Sequence, residues 1–218
     1  MESQRLSLII GDKNWSSWSL RPWLVLKYFS IPFEEISLKL RQKDTKQSIL
    51  AHSASGKVPI LKVENIVIWD SLSIIEYLAD AYPQHSIWPD LLQARALARS
   101  LSAEMHSGFQ ALREHCPMDI LSIKLFYDLP ETVEHNLRRI IQIFCDFRKM
   151  HETKGPFLFG TFCAADAMYA PVCSRLRTYI PDLSKYGDNG RAAEYVNMIF
   201  KMPEIEEWIE GAVKEKEL

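Results

Sequence analysis

No run of uncharged residues in this 218-residue chain approaches the ~20 needed to span a bilayer, and no basic-then-apolar segment opens it as an export signal would. A cytoplasmic protein with no membrane partner is the expectation. Neither sign of charge dominates: 26 Lys and Arg stand against 28 Asp and Glu, for a net charge of −2. Such a balance creates no field that would gather nucleic acid or anionic lipid. Cysteine is scarce and unpatterned. Cys116, Cys145, Cys163 and Cys173 form no CxxC pair and no metal-type spacing, so the reading is of buried reduced thiols, with no disulfide framework and no metal.

What is present is an ordinary globular composition, 47% hydrophobic and 25% charged, long enough for two small domains. Leu6-Ser7-Leu8-Ile9-Ile10 reads as a short buried strand ending at Gly11, and Phe33 to Leu38 as a second strand paired with it through a right-handed crossover. Between them lies a helix from about Leu20. Ser19 is its expected N-cap, which puts Pro22 in the first turn, where proline is tolerated. Ser16 and Ser17 lie just ahead, in a region of positive dipole and free N–H groups suited to an anion such as a thiolate, although capping alone would also place serines there.

Two β-branched runs, Ile60 to Val63 and Ile66 to Trp69, flank the polar pair Glu64-Asn65 and predict an antiparallel hairpin. Pro59 stands at the entrance of the first strand, where a missing N–H costs least. Val58, held extended by that proline, offers its N–H and C=O as a strand edge would. Asp70-Ser71 precedes the periodic run Leu72, Ile74, Ile75, Leu78 and so sits at a helix start. A β-α-β unit followed by a hairpin and a helix is a thioredoxin-like arrangement. Residues Arg41 to Ser55 read as a short helix at its rim.

The segment 81–90, with two prolines and no period, reads as a linker, and everything after it reads as helical. Long periodic segments run from Leu91 to Glu114, Leu129 to Met150 and Ala164 to Tyr179, with shorter ones from Gly190 to Lys201 and Glu204 to Lys214. The expected division is residues 1–82, a linker at 83–90, and a helical domain at 91–218.

Gly56-Lys57-Val58-Pro59-Ile60-Leu61 followed by Trp69-Asp70-Ser71-Leu72-Ser73-Ile74-Ile75-Glu76-Tyr77-Leu78 resembles the glutathione-binding half of cytosolic glutathione transferases. The resemblance implies a thioredoxin-like domain followed by an all-helical one, a cis peptide before Pro59, and a two-fold homodimer. It also implies that glutathione, as co-substrate, is held by Lys57, Val58 and Pro59 and, at its γ-glutamyl end, by Asp70 and Ser71. Ser16-Ser17-Trp18-Ser19-Leu20-Arg21 is similar to the catalytic motif of the zeta class, in which the first serine activates the thiol. That position is Ser16, with Ser17 as the alternative. Trp18 replaces the motif's cysteine, which disfavours the isomerase chemistry of that class, and because the nucleophile-contacting place is held by Ser16 and not by a cysteine, a protein mixed disulfide is disfavoured too.

Phe159-Gly160-Thr161-Phe162-Cys163-Ala164-Ala165-Asp166 resembles the capping box heading the central helix of the family's second domain, with Cys163 a poorer acceptor than the usual hydroxyl. Glu104, His106, Phe109, Gln110 and Arg113 lie at spacings that place several on one face of the first long helix, which in the family walls the electrophile site; His106, Phe109, Gln110 and Arg113, with Trp18 of the serine motif, are candidates for that site. Two functions follow. One is a detoxifying transferase in which glutathione thiolate attacks a small electrophile by conjugation, dehalogenation or isomerisation. The other is a transferase-fold protein that binds glutathione or a protein partner without turnover.

Overall fold

The computed structural model describes residues 5–217; the two outermost limits of the expected domains, 1 and 218, lie outside them. Four strands, β1 (Leu6–Gly11), β2 (Glu34–Leu38), β3 (Ile60–Val63) and β4 (Ile66–Trp69), form one sheet in the order β2-β1-β3-β4. β1 and β2 are parallel and joined through α1 (Ser17–Tyr28), while β1/β3 and β3/β4 are antiparallel. The hairpin closes at Glu64-Asn65, with Val63 opposite Ile66 and Ile60 opposite Trp69.

The period of two sorts β1 onto two cores. Leu6, Leu8 and Ile10 point to the main core with α1 and α3 (Ser71–Ala81). Ile9 points the other way, joining Ile60 and Ile49 in a small cluster flanked by Ile36, Leu38, Leu40 and Val58. Ile49 is the one buried residue of α2 (Thr45–Leu50), so this rim helix is anchored by a single side chain.

The remaining helices are α4 (Leu92–Ser107), α5 (Gln110–His115), α6 (Glu131–His151), α7 (Ala164–Tyr179), α8 (Arg191–Phe200) and α9 (Pro203–Glu217). At the centre lies α7, with every residue but Arg177 buried; Ala164, Ala165, Ala167 and Ala170 let neighbouring backbones come close. The expected single helix from Leu91 to Glu114 is in fact two. The chain breaks at Gly108-Phe109, where Phe109 has a φ of 57° and a Cβ on Gly108 would lie 2.6 Å from the Glu104 carbonyl oxygen. Apolar periodicity runs through this break because both pieces pack on the same core, and so it carries no sign of the kink.

Helix α9 returns to the sheet. Trp208 packs edge-on against Trp23 at 4.9 Å, and its indole N–H donates to the Lys13 carbonyl at 2.8 Å. Glu215 accepts the Lys13 backbone N–H at 2.7 Å, and the nearly buried Lys13 ammonium pairs with Glu35 and Glu215. Gly211 makes this approach possible, since a Cβ there would lie 2.5 Å from Lys13 Cδ. On the other side Asn14 donates to Asp119 at 3.0 Å and accepts from the Leu121 N–H at 3.1 Å. The loop that enters α1 is thus gripped from both sides by the helical part of the chain.

Candidate active site

A cleft of about 750 Å³ opens beside the start of α1. It gathers Ser16 and Trp18 from that start, Ser55, Lys57, Val58 and Pro59 from the approach to β3, Asp70 and Ser71 from the β4–α3 junction, and His106 from the end of α4. Trp15, Trp69, Leu40 and Ile49 complete the wall. The Val58-Pro59 peptide is cis.

The first helix starts earlier than the sequence suggests. Ser16, not Ser19, is the N-cap, and helical geometry begins at Ser17. Three serines in four residues make the cap ambiguous from sequence; the Asp12 carbonyl decides it by accepting the N–H groups of Trp15 (3.1 Å) and Ser16 (2.8 Å), a turn that delivers the chain to the helix at Ser16. Pro22 is consequently inside the helix rather than in its first turn. The two candidate hydroxyls separate. Ser16 lines the cleft, and its Oγ makes no capping bond but lies 2.7 Å from Ser19 Oγ. Ser17 turns away and accepts from the Arg175 guanidinium at 3.2 Å.

Asp70 has a φ of 78°, a conformation costly for a residue with a Cβ. Its Oδ1 accepts the N–H groups of Leu72 (2.9 Å) and Ser73 (3.3 Å), capping α3. The other oxygen, Oδ2, is left toward the cleft, 3.1 Å from His106 Nε2. Burial depresses the His106 pKa; Asp70 opposes that, and Arg21 and Arg113 reinforce it.

Beneath the cleft floor lie charges of one sign. Arg21 is almost wholly buried, donates to Ser71 Oγ at 3.4 Å, and has its pKa brought down to about 9 by burial and by the nearby Arg113 and Arg175. Arg21 and Arg113 both bear on the Trp18 ring, at 4.1 and 4.9 Å from its centroid, and His106 meets the same ring edge-on at 5.2 Å. This cationic group, with Arg21 and Arg175 buried and Arg113 half-buried, favours an anion in the cleft. In the sequence Arg21 stands out only as the last residue of the serine motif, and Arg175 not at all; the pair that Arg175 makes with Ser17 spans 158 positions, beyond the reach of any local pattern.

Not every electrophile-site candidate reaches the cleft. Trp18 and His106 line it; Phe109, Gln110 and Arg113 do not. The expected common face for these residues is lost with the break at Gly108. Phe109 is packed into the core, Gln110 is turned to Glu114 at 2.7 Å, and Arg113 donates to the Met105, His106 and Gly108 carbonyls that the end of α4 leaves free. His106, placed over Asp70, sits nearer the expected γ-glutamyl end than the electrophile.

Residues 15–81 match the family model described as glutathione S-transferase, N-terminal domain. Among curated proteins, the chain is 31% identical over 124 residues to a probable maleylacetoacetate isomerase of Caenorhabditis elegans, covering 57% of each chain. It is 28% identical over 175 residues to the maleylacetoacetate isomerase of Rattus norvegicus, covering 78% of this chain and 77% of that one. The chain thus spans less than two thirds of the length of some of the curated relatives it matches, the nematode protein among them. A Burkholderia glutathione transferase homolog, solved with bound glutathione, superposes with a TM-score of 0.70 at 22% identity, over 97% of this chain and 99% of that one. The N-terminal match falls on the stretch that builds most of the cleft, and over residues 15–81 the chain is similar to the glutathione S-transferase N-terminal domain.

Proposed function

We propose that the cleft binds glutathione and that the protein is a glutathione transferase, with Ser16 activating the thiol for attack on a small electrophile. The observation that carries this reading is the convergence of two helix starts on one cleft: a Ser16 hydroxyl that makes no capping bond, and an Asp70 oxygen that the cap of α3 does not use and that faces the cleft beside His106. Bound glutathione supplies the thiolate nucleophile. Val58 would hold its backbone edge-on, Asp70 and Ser71 its γ-glutamyl end, and Lys57 a carboxylate. The Ser16 hydroxyl and the positive end of α1 favour the thiolate over the thiol. Relatives named maleylacetoacetate isomerase make isomerisation one form of the reaction, with conjugation and dehalogenation the others. Trp18 at the cleft weighs against the isomerase form, since it stands where the zeta-class motif has cysteine.

A free thiol titrates near 8.5, and one hydrogen bond to the anion together with a helix terminus lowers that by about one to two units. Ser16→Ala is expected to cut turnover at pH 7 by about ten- to a hundredfold while leaving glutathione affinity nearly unchanged. Ser17→Ala, which removes a hydroxyl directed at Arg175, is expected to leave the thiol pKa alone. A thiolate absorbance titration of bound glutathione in both variants decides the matter: a shift in Ser17→Ala without one in Ser16→Ala reverses the roles.

A cytoplasmic homodimer completes the reading. Ile66, Val67 and Trp69 on the edge strand β4, and Leu91, Leu92 and Leu97 around the start of α4, are exposed apolar residues that a second copy would cover. Sedimentation at micromolar concentration showing only a 25.3 kDa species would overturn the dimer.

A further inference from the structure

Ser19 does not line the cleft. Its side chain is fully buried at the first turn of α1, and its Oγ lies between two groups: the Gly11 N–H, which it accepts at 3.2 Å, and Ser16 Oγ at 2.7 Å. A hydroxyl has one proton and two acceptor positions. The Gly11 N–H occupies one acceptor position of Ser19 and leaves its proton to give. Between the two serines the bond runs either way, but only one direction suits an anion in the cleft. If Ser16 donates to Ser19, its single proton is consumed; if Ser19 donates to Ser16, the Ser16 proton is free to turn outward.

We propose that Ser19 is a positioning residue for the thiol-activating hydroxyl. In the presence of thiolate the bonds run Gly11 N–H to Ser19 Oγ, Ser19 O–H to Ser16 Oγ, and Ser16 O–H to sulfur. No proton is transferred; each hydroxyl only rotates. The chain has two effects. Donation from Ser19 fixes the Ser16 rotamer toward the cleft, and each bond polarises the next, which makes Ser16 a stronger donor to the anion. The strand fixes the first bond, since Gly11 is the last residue of β1 and its backbone N–H can only donate, and the anion in the cleft selects the direction of the second. This inference rests on the reading of Ser16 as the thiol-activating group.

The competing account is that Ser19 merely satisfies the Gly11 N–H. It predicts lost stability and nothing else. The test is the thiolate absorbance titration of bound glutathione, with the pH–rate profile, in wild type, Ser19→Ala, Ser16→Ala and the double variant. Ser19→Ala is expected to raise the thiol pKa by about 0.5 and to lower kcat at pH 7 about threefold, with KM for glutathione unchanged. In the Ser16→Ala background the same change is expected to shift nothing further, because the relay has lost its last member. An unshifted pKa in Ser19→Ala, or an equal shift with and without Ser16, overturns the proposal. Should Ser19→Ala not fold, Ser19→Cys takes its place; its sulfur still accepts from Gly11 but its S–H is a weak donor, so the thiol pKa rises there too. A wild-type complex whose thiol titrates at the free value overturns the Ser16 reading itself, which separates that failure from a failure of Ser19 alone.

Discussion

Asp70 and Asp166 are both carboxylates at helix starts, where a negative charge is favoured, yet the chain spends them differently. Asp166, third residue of α7, accepts the N–H groups of Leu158 and Cys163 at 3.0 Å each and the Tyr195 hydroxyl at 2.8 Å, and is wholly buried. Asp70 gives one oxygen to the cap of α3 and keeps the other toward the cleft. In sequence each is an acid at the head of an apolar-periodic run. The physical difference is capacity left over: the chain consumes that of Asp166 and holds part of that of Asp70 in reserve. A reserve at a strained backbone position beside a cleft has the character of a site, and a fully consumed carboxylate in the core has the character of a joint.

The comparison breaks or holds first on removal of each carboxylate. Asp166→Ala strands two backbone N–H groups and a phenol in the core, and is expected to cost about 3–5 kcal/mol of stability. Asp70→Ala loses a helix cap, for about 1 kcal/mol, and under the proposed function lowers glutathione affinity at least tenfold. Denaturant unfolding and calorimetric titration with glutathione measure the two effects. If Asp70→Ala is the more destabilising of the pair, the division between joint and site is wrong.

A smaller effect sharpens the contrast through pH. Burial pushes the Asp166 carboxyl up to about 6 from an ordinary 3.8, against the hydrogen bonds that favour its ionised form. Between those values the folded protein keeps a proton that the unfolded chain has released. Its contribution to stability is therefore complete below pH 3.8 and is lost as the pH rises through about 6. The full span corresponds to at most about 3 kcal/mol. Asp166→Asn does not titrate, so lowering the pH from 7 to 5 is expected to move the difference in melting temperature in favour of wild type. A constant difference would mean that the three donors keep the carboxylate ionised throughout.

Local features were legible in the sequence. The hairpin at Glu64-Asn65, the parallel pair through α1, and α7 from Ala164 to Tyr179 lie where alternation, crossover length and periodicity place them. Each is encoded within one continuous stretch of the chain, where turn chemistry and apolar period act directly. What escaped is of two kinds, a local break that the apolar period does not mark and contacts between residues far apart in the chain. The break at Gly108-Phe109 is stabilised by Arg113 donating back to three carbonyls, and an arginine in a periodic run looks the same whether it caps a kink or meets solvent. The turn of Ser17 away from the cleft comes from Arg175, on α7. The group of Arg21, Arg113 and Arg175 draws on three helices, and no spacing rule joins them.

The last test concerns the quality of the joint itself. Cys163 is the N-cap of α7, and its sulfur faces the Asp166 N–H in a capping-box arrangement without an ordinary cap hydrogen bond. Sulfur is a weak acceptor and its S–H a weak donor, and burial pushes the thiol pKa well up, so the group stays neutral. Cys163→Ser offers a better acceptor to the Asp166 N–H and a better donor to the carboxylate. A good cap is worth about 1 kcal/mol, from which the smaller, more polar side chain at a 2% exposed position subtracts a few tenths. A net gain of about 0.5 kcal/mol raises the melting temperature of a chain this size by about 1–2 °C. Because α7 starts far from Asp70 in function though not in kind, the same substitution is expected to leave glutathione affinity unchanged. A fall in melting temperature would show that sulfur packing outweighs the cap, making Cys163 part of the apolar core first and a helix terminus second.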